Sequence, residues 1–87
     1  MSKEEILQFP CDFPIKVMGQ YTDDFVQVVI EIVLRHAPDF SPATMQRRPS
    51  SQGNYLGLTC TICATSREQL DALYRELSAH PLAKYVI

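Results

Sequence analysis

The order of periodicities along this 87-residue chain predicts an α+β fold, a four-stranded antiparallel sheet with two helices on one of its faces. Three observations predict it. The stretch Tyr55–Ala64 alternates without a break: Leu56, Leu58, Cys60, Ile62 and Ala64 share one parity, and Tyr55, Gly57, Thr59, Thr61 and Cys63 the other. Period two with one apolar side marks a strand packed on one face and open on the other. Two segments, starting at Thr22 and Thr65, join helix-start chemistry to apolar residues at helical spacing. Weaker strand signals flank them, so the chain reads strand, helix, strand, strand, helix, strand.

The N-terminus opens with Ser2-Lys3-Glu4-Glu5, the spacing of a capping box, which predicts a short helical turn to Gln8 and a helical extension over residues 1–10. Pro10 and Pro14 bracket a first strand near Phe13–Gln20, with Phe13, Ile15 and Val17 inward. Gly19 lets the backbone turn out of it.

Thr22-Asp23-Asp24 places a cap and two carboxylates at the positive end of a helix dipole. Asp24, Gln27, Glu31 and Arg35 form a narrow polar stripe, so Val26–Val33 reads as helix despite its β-branched residues. His36-Ala37-Pro38 ends it. Phe25, Val28, Val29, Ile32 and Val33 can face the sheet, which leaves Val26, Ile30 and Leu34. The N-terminal turn, through Ile6, Leu7 and Phe9, is expected to cover that excess, so a monomer or weak homo-oligomer is expected.

Ala43–Arg48 reads as an edge strand with Ala43 and Met45 inward and Thr44, Gln46 and Arg48 outward; proline and paired arginines suit an edge. The loop Ser50–Asn54 turns into the long strand. Thr65-x-x-Glu68 is a capping box, followed by Leu70, Leu73, Tyr74 and Leu77 on one helix face, and His80-Pro81 closes that helix. The last strand, Leu82–Ile87, should bury Ala83, Tyr85 and Ile87, because the other parity would bury Lys84. Right-handed crossovers then give a ferredoxin-like βαββαβ plait of strand order 4-1-3-2, a single domain over residues 1–87.

Composition bounds the function. A chain this short holds two layers around one core, and 46% apolar content suits that core. A net charge of −2 gives no general attraction to nucleic acid or membrane. No apolar run reaches spanning length, no signal-peptide pattern opens the chain, and three cysteines make a disulfide framework improbable, so a reduced, cytoplasmic setting is expected.

Cys60-Thr61-Ile62-Cys63 matches a metal or redox pattern, but within a strand its ends face opposite ways about 10 Å apart. Cys11, beside Pro10, is the thiol expected to be exposed. His36 and His80 sit at helix ends, where imidazolium complements free carbonyls, and Asp23-Asp24 is explained by the helix start. No catalytic constellation, metal set or cofactor motif stands out, so the chain is not read as an enzyme. Ser50-Ser51-Gln52-Gly53-Asn54-Tyr55 reads either as hairpin chemistry or as a small anion or peptide site built from hydroxyls and loop N–H groups.

Phe9-Pro10 with Phe13, Lys16-Val17-Met18-Gly19, Arg35-His36-Ala37-Pro38, Pro49-Ser50-Ser51, Gly53-Asn54-Tyr55, Ala64-Thr65, Leu73-Tyr74 and Glu76-Leu77 together resemble the YbeD-like family of small uncharacterised bacterial proteins. The resemblance covers nearly the whole chain and implies a plait akin to regulatory ACT-type domains, without established activity. ACT-type ligands would correspond loosely to Met18-Gly19-Gln20. Gln52 stands where a basic residue is expected in relatives, and Gly57 leaves a gap in the open face.

Strand parity places Lys16, Met18, Thr44, Gln46, Arg48, Tyr55, Thr59, Thr61, Leu82, Lys84 and Val86 on that face, three cations and no carboxylate. The expected function is a regulatory or adaptor module that binds a protein partner or a small anionic metabolite. The candidate binding residues are Lys16, Met18, Arg48, Ser50, Ser51, Gly53, Asn54, Tyr55 and Lys84. Nucleic-acid binding is the alternative; it is not favoured, because mid-strand positions lack aromatics for stacking.

Overall fold

A computed structural model of the chain describes residues 8–87. Its elements are β1 (Cys11–Gln20), α1 (Asp23–His36), a 3₁₀ turn (Pro42–Thr44), β2 (Gln46–Pro49), β3 (Tyr55–Ala64), α2 (Arg67–Ala79) and β4 (Ala83–Val86). The strands form one antiparallel sheet in the order β2-β3-β1-β4, and both helices pack on one face of it. This is the expected ferredoxin-like plait. The expected helical turn, and the cover that Ile6 and Leu7 were to supply, lie outside the described residues.

The core is one parity of the sheet pressed against two helix stripes. Leu56, Leu58, Cys60, Ile62 and Ala64 of β3 are all buried, as are Ile15 and Val17 of β1. Against them α1 buries Phe25, Val26, Val29, Ile32 and Val33, and α2 buries Leu70, Leu73 and Leu77. The α1 stripe differs from expectation at two positions: Val26 is buried, and Val28 is half-buried. Phe40, after α1, is also buried, although no periodicity placed it.

Prolines fit where the ladder needs no donor. Lys16 exchanges backbone hydrogen bonds with Ile87, its N–H donating at 3.3 Å and its carbonyl accepting at 2.8 Å. Pro14, two residues earlier, points to the same side, beyond the reach of β4. The strand therefore begins at Cys11 rather than Phe13 and runs through this proline. On β2 the Ser50 N–H donates to the Tyr55 carbonyl at 2.9 Å, so Pro49 points outward from the sheet edge.

The helix starts follow the chemistry of their caps. Thr22 caps α1, its hydroxyl accepting from the Phe25 N–H at 3.1 Å. The cap of α2 is Ser66, not Thr65: its hydroxyl accepts from the Gln69 N–H at 3.1 Å. The Gln69 carbonyl oxygen accepts from the Thr65 N–H at 2.7 Å, while its amide donates to the His36 carbonyl at 2.8 Å. One side chain thus joins the end of α1 to the start of α2. Nearby, Glu76 receives the His36 Nε2 at 2.7 Å and the Arg35 guanidinium.

Two expectations fail for identifiable reasons. Pro42-Ala43-Thr44 forms a 3₁₀ turn in which the Thr44 hydroxyl donates to the Ser41 carbonyl at 2.7 Å, so Ala43 is exposed and β2 starts at Gln46. His80 stands at the end of α2 as expected, and its Nδ1 accepts from the Leu82 N–H at 3.2 Å. Ala83 faces inward as expected, but beyond it the parity of β4 is reversed. Val17 pairs with Val86 and Met18 with Tyr85, then the register shifts so that Gly19 meets Ala83. Lys84 is the extra residue of that bulge. Ala83 and Val86 both reach the core, whereas Tyr85 and Ile87 are exposed.

Candidate functional site

Register turns the open face into a grid. One row across the sheet runs Ile87, Lys16, Thr59, Gln46, and the next runs Tyr85, Met18, Gly57, Arg48. A third holds Gln20, Tyr55 and Ser50. In the second row Gly57 contributes no side chain, so the grid has a gap between Met18 and Arg48. Around it lies an open groove of about 850 Å³ that spans all four strands.

Of the residues expected to bind, Lys16, Met18, Arg48, Ser50 and Ser51 line this groove. Gly53, Asn54 and Tyr55 instead line a second cavity of about 450 Å³, shared with Gln20, Tyr21 and Thr22 at the start of α1. Lys84, at the bulge, lines neither. The groove gains Gln46, Arg47, Gly57, Thr59, Tyr85 and Ile87. Tyr85 and Ile87 were missed because both parities of the last strand are largely apolar, and only a bulge separates the alternatives.

The Ser50–Tyr55 loop is first of all hairpin chemistry. The Ser50 hydroxyl accepts from the Tyr55 N–H at 3.1 Å, and the Gly53 N–H donates to the Ser50 carbonyl at 3.0 Å. Gly53 has φ +75°, which a side chain would strain. Ser51 is exposed, and among the described residues the Ser50 hydroxyl is seen only as an acceptor.

Electrostatically the groove is one-sided. Lys16, Arg47 and Arg48 line it, Arg47 by register on the parity of Leu58 rather than of the open face, and no aspartate or glutamate side chain does. Among the described residues none of the three forms an ion pair, whereas Arg35 pairs with Glu76 and Arg67 with Asp71 on the helices. Among the described residues the open face does carry an acidic side chain that the shorter first strand had hidden. Asp12, opposite Cys63, shares its parity with Lys16, about 13 Å further along β1.

The thiols separate as the strand geometry requires. Cys60 is buried and Cys63 exposed, on opposite faces of β3. Burial pushes the Cys60 thiol up to about 12. Cys63, not Cys11, is the exposed thiol; Cys11 is half-buried. Among the described residues no cluster of three or more histidines, cysteines and carboxylates could hold a metal ion. No helix among them is long and apolar enough to cross a membrane.

Residues 4–87 match the model of a family described as a protein of unknown function, DUF493. The chain is 54% identical over 85 residues to a UPF0250 protein of Ralstonia nicotianae, covering 98% of this chain and 88% of that one. It is 56% identical over 84 residues to a UPF0250 protein of Janthinobacterium, covering 97% and 92%. With a UPF0250 protein of Nitrosomonas europaea it shares 49% identity over the whole length of both chains.

Proposed function

The chain belongs to the DUF493 (UPF0250) family of small bacterial proteins, the YbeD-like family its motifs resemble, and from that premise we propose that it is a non-catalytic regulatory or adaptor module. The open sheet face binds the partner, a protein segment or a small metabolite that carries negative charge. One observation carries this reading: three cations line one groove, none of them with an ion partner among the described residues, on a chain of net charge −2. Such asymmetry favours an anionic partner and speeds its encounter, with steering that weakens as salt rises.

The non-catalytic reading is supported by the lining itself. It holds hydroxyls, an amide and cations, but no side chain of histidine, aspartate, glutamate or cysteine to move a proton. Self-association through this face is disfavoured, since a twofold contact would set cation against cation. On this reading the chain acts in the cytoplasm as a monomer or weak oligomer. The likeness to ACT-type regulatory plaits points the same way, with the second cavity near Gln20 as the nearest counterpart of their ligand position.

A second reading, single-stranded nucleic acid across the same face, draws on Tyr85, 53% exposed beside Met18, and on Tyr55, 44% exposed. Neither tyrosine sits mid-strand on β1 or β3, which keeps this reading second.

Affinity capture from the cytosol of its own organism identifies partners. Lys16, Arg47 and Arg48 are then changed together to serine. Binding should weaken and its salt dependence flatten while the fold is kept. Unchanged affinity would move the site to the helical face.

A further inference from the structure

The chain has three glycines, and structure explains two of them. A Cβ on Gly19 would lie 2.5 Å from the Leu82 carbonyl oxygen and 2.5 Å from the Phe25 ring. Gly53 adopts a positive φ. Gly57 has neither reason. A Cβ there would meet the Arg48 carbonyl oxygen at 3.6 Å and the Met18 methyl at 3.8 Å, ordinary contact distances. Glycine in the middle of a long strand weakens it and commonly marks a place where a ligand approaches the backbone. Here the gap lies in the groove floor, beside Arg48 in its own row and diagonal to Lys16.

We propose that Gly57 is the seat of a small phosphorylated ligand with a flat heterocyclic body, of the nucleoside monophosphate class. This rests on the open-face reading and deepens it. The phosphate lies over Gly57. Arg48 and Lys16 are about 12 Å apart at Cα, close enough for both long side chains to reach one anion between them. Ser50 and Ser51, on the same side, add hydroxyl donors. From Gly57 the row continues over Met18 to Tyr85, about 10 Å across two strand spacings. Sugar and base lie along that apolar segment, the base against the Met18 thioether and the exposed Tyr85 ring. The groove volume falls within the range of small-ligand sites, and the short row favours such a ligand over an extended protein interface.

Amide NMR of the full chain tests this with adenosine and uridine monophosphates, adenosine, inorganic phosphate, hexa-adenylate and hexaglutamate. Saturable shifts with the monophosphates, centred on Gly57, Arg48 and Tyr85, support the proposal when adenosine and phosphate each bind at least about tenfold more weakly. Gly57→Ala should keep the fold and weaken binding, and Gly57→Leu should abolish it without moving the core amides. Adenosine or phosphate alone binding as well as the monophosphates would overturn the two-part site. Hexa-adenylate binding more than about tenfold tighter would replace it with the nucleic-acid reading. Hexaglutamate acting on these amides where nucleotides do not would end the nucleotide class but leave the anionic groove standing. If no anion moves them, both readings fall.

Discussion

The Phe25 ring occupies the space that a side chain on Gly19 would need, with its Cε1 2.5 Å from where the Cβ would sit. Phe25 is 1% exposed and forms the first buried turn of α1. The Leu82 carbonyl closes the other side, so neither neighbour can retreat freely. Gly19→Ala is therefore expected to cost about 1–3 kcal/mol through overpacking, read as a lower urea midpoint. Gly57→Ala should stay within about 0.5 kcal/mol of the parent. Equal losses at the two positions would show that the contrast between them is false.

Glu76 ties the helices together by accepting from His36 and Arg35. Both partners of the Arg35 pair are partly exposed, at 58% and 32%, so solvent screens it and the net coupling is modest. A double-mutant cycle over His36→Ala and Glu76→Ala should give an interaction energy of about 0.5–1 kcal/mol. Additive losses would mean that the contact seen here contributes nothing to stability.

The cysteines differ in reactivity and in pH response. Cys63 and Cys11 should react promptly with a thiol reagent, and Cys60 only at the rate of unfolding. Burial raises the folded Cys60 thiol to about 12 from 9.0. Below pH 9 both states are protonated and the thiol adds no pH dependence. Above it the unfolded thiol ionises while the folded one stays neutral, so stability falls as pH rises from 9 towards 12. Urea denaturation on either side of pH 9 should show a smaller alkaline loss in Cys60→Ala than in the parent. An identical loss would count against the assignment.

Legibility from the sequence tracked how many independent signals met at one place. In β3 five apolar residues face five small or polar ones, and no slipped register could satisfy both faces. At α1 Thr22, Asp23 and Asp24 could each cap, and the apolar stripe that begins at Phe25 agrees with Thr22 taking that place. At α2 two overlapping spacings existed, Thr65 with Glu68 and Ser66 with Gln69, and propensity alone could not choose between them. The 3₁₀ turn was hidden because Ala43 and Met45 imitate alternation, while the Ser41-Pro42 start and the Thr44 hydroxyl bond favour a turn. The candidate groove was half legible. Lys16, Met18 and Arg48 follow from parity, but Tyr85 and Ile87 depend on a bulge that no local pattern announces.

That bulge gives the last prediction. Tyr85 and Val86 are adjacent and comparably apolar, and the register assigns them opposite faces: Val86 meets Val17 on the core side, Tyr85 meets Met18 on the open side. Tyr74 reinforces the arrangement, because its hydroxyl donates to the Ile87 carbonyl at 3.1 Å and fixes β4 against α2. Val86→Lys forces a charge toward the core beside Val17, which is 1% exposed, and should cost about 1–3 kcal/mol. Tyr85→Lys leaves the charge in solvent and should fall within about 0.5 kcal/mol. If strict alternation from Leu82 governed the strand instead, the two losses would exchange places. Chemical denaturation of the two variants decides between the registers, and with them whether Tyr85 belongs to the open face.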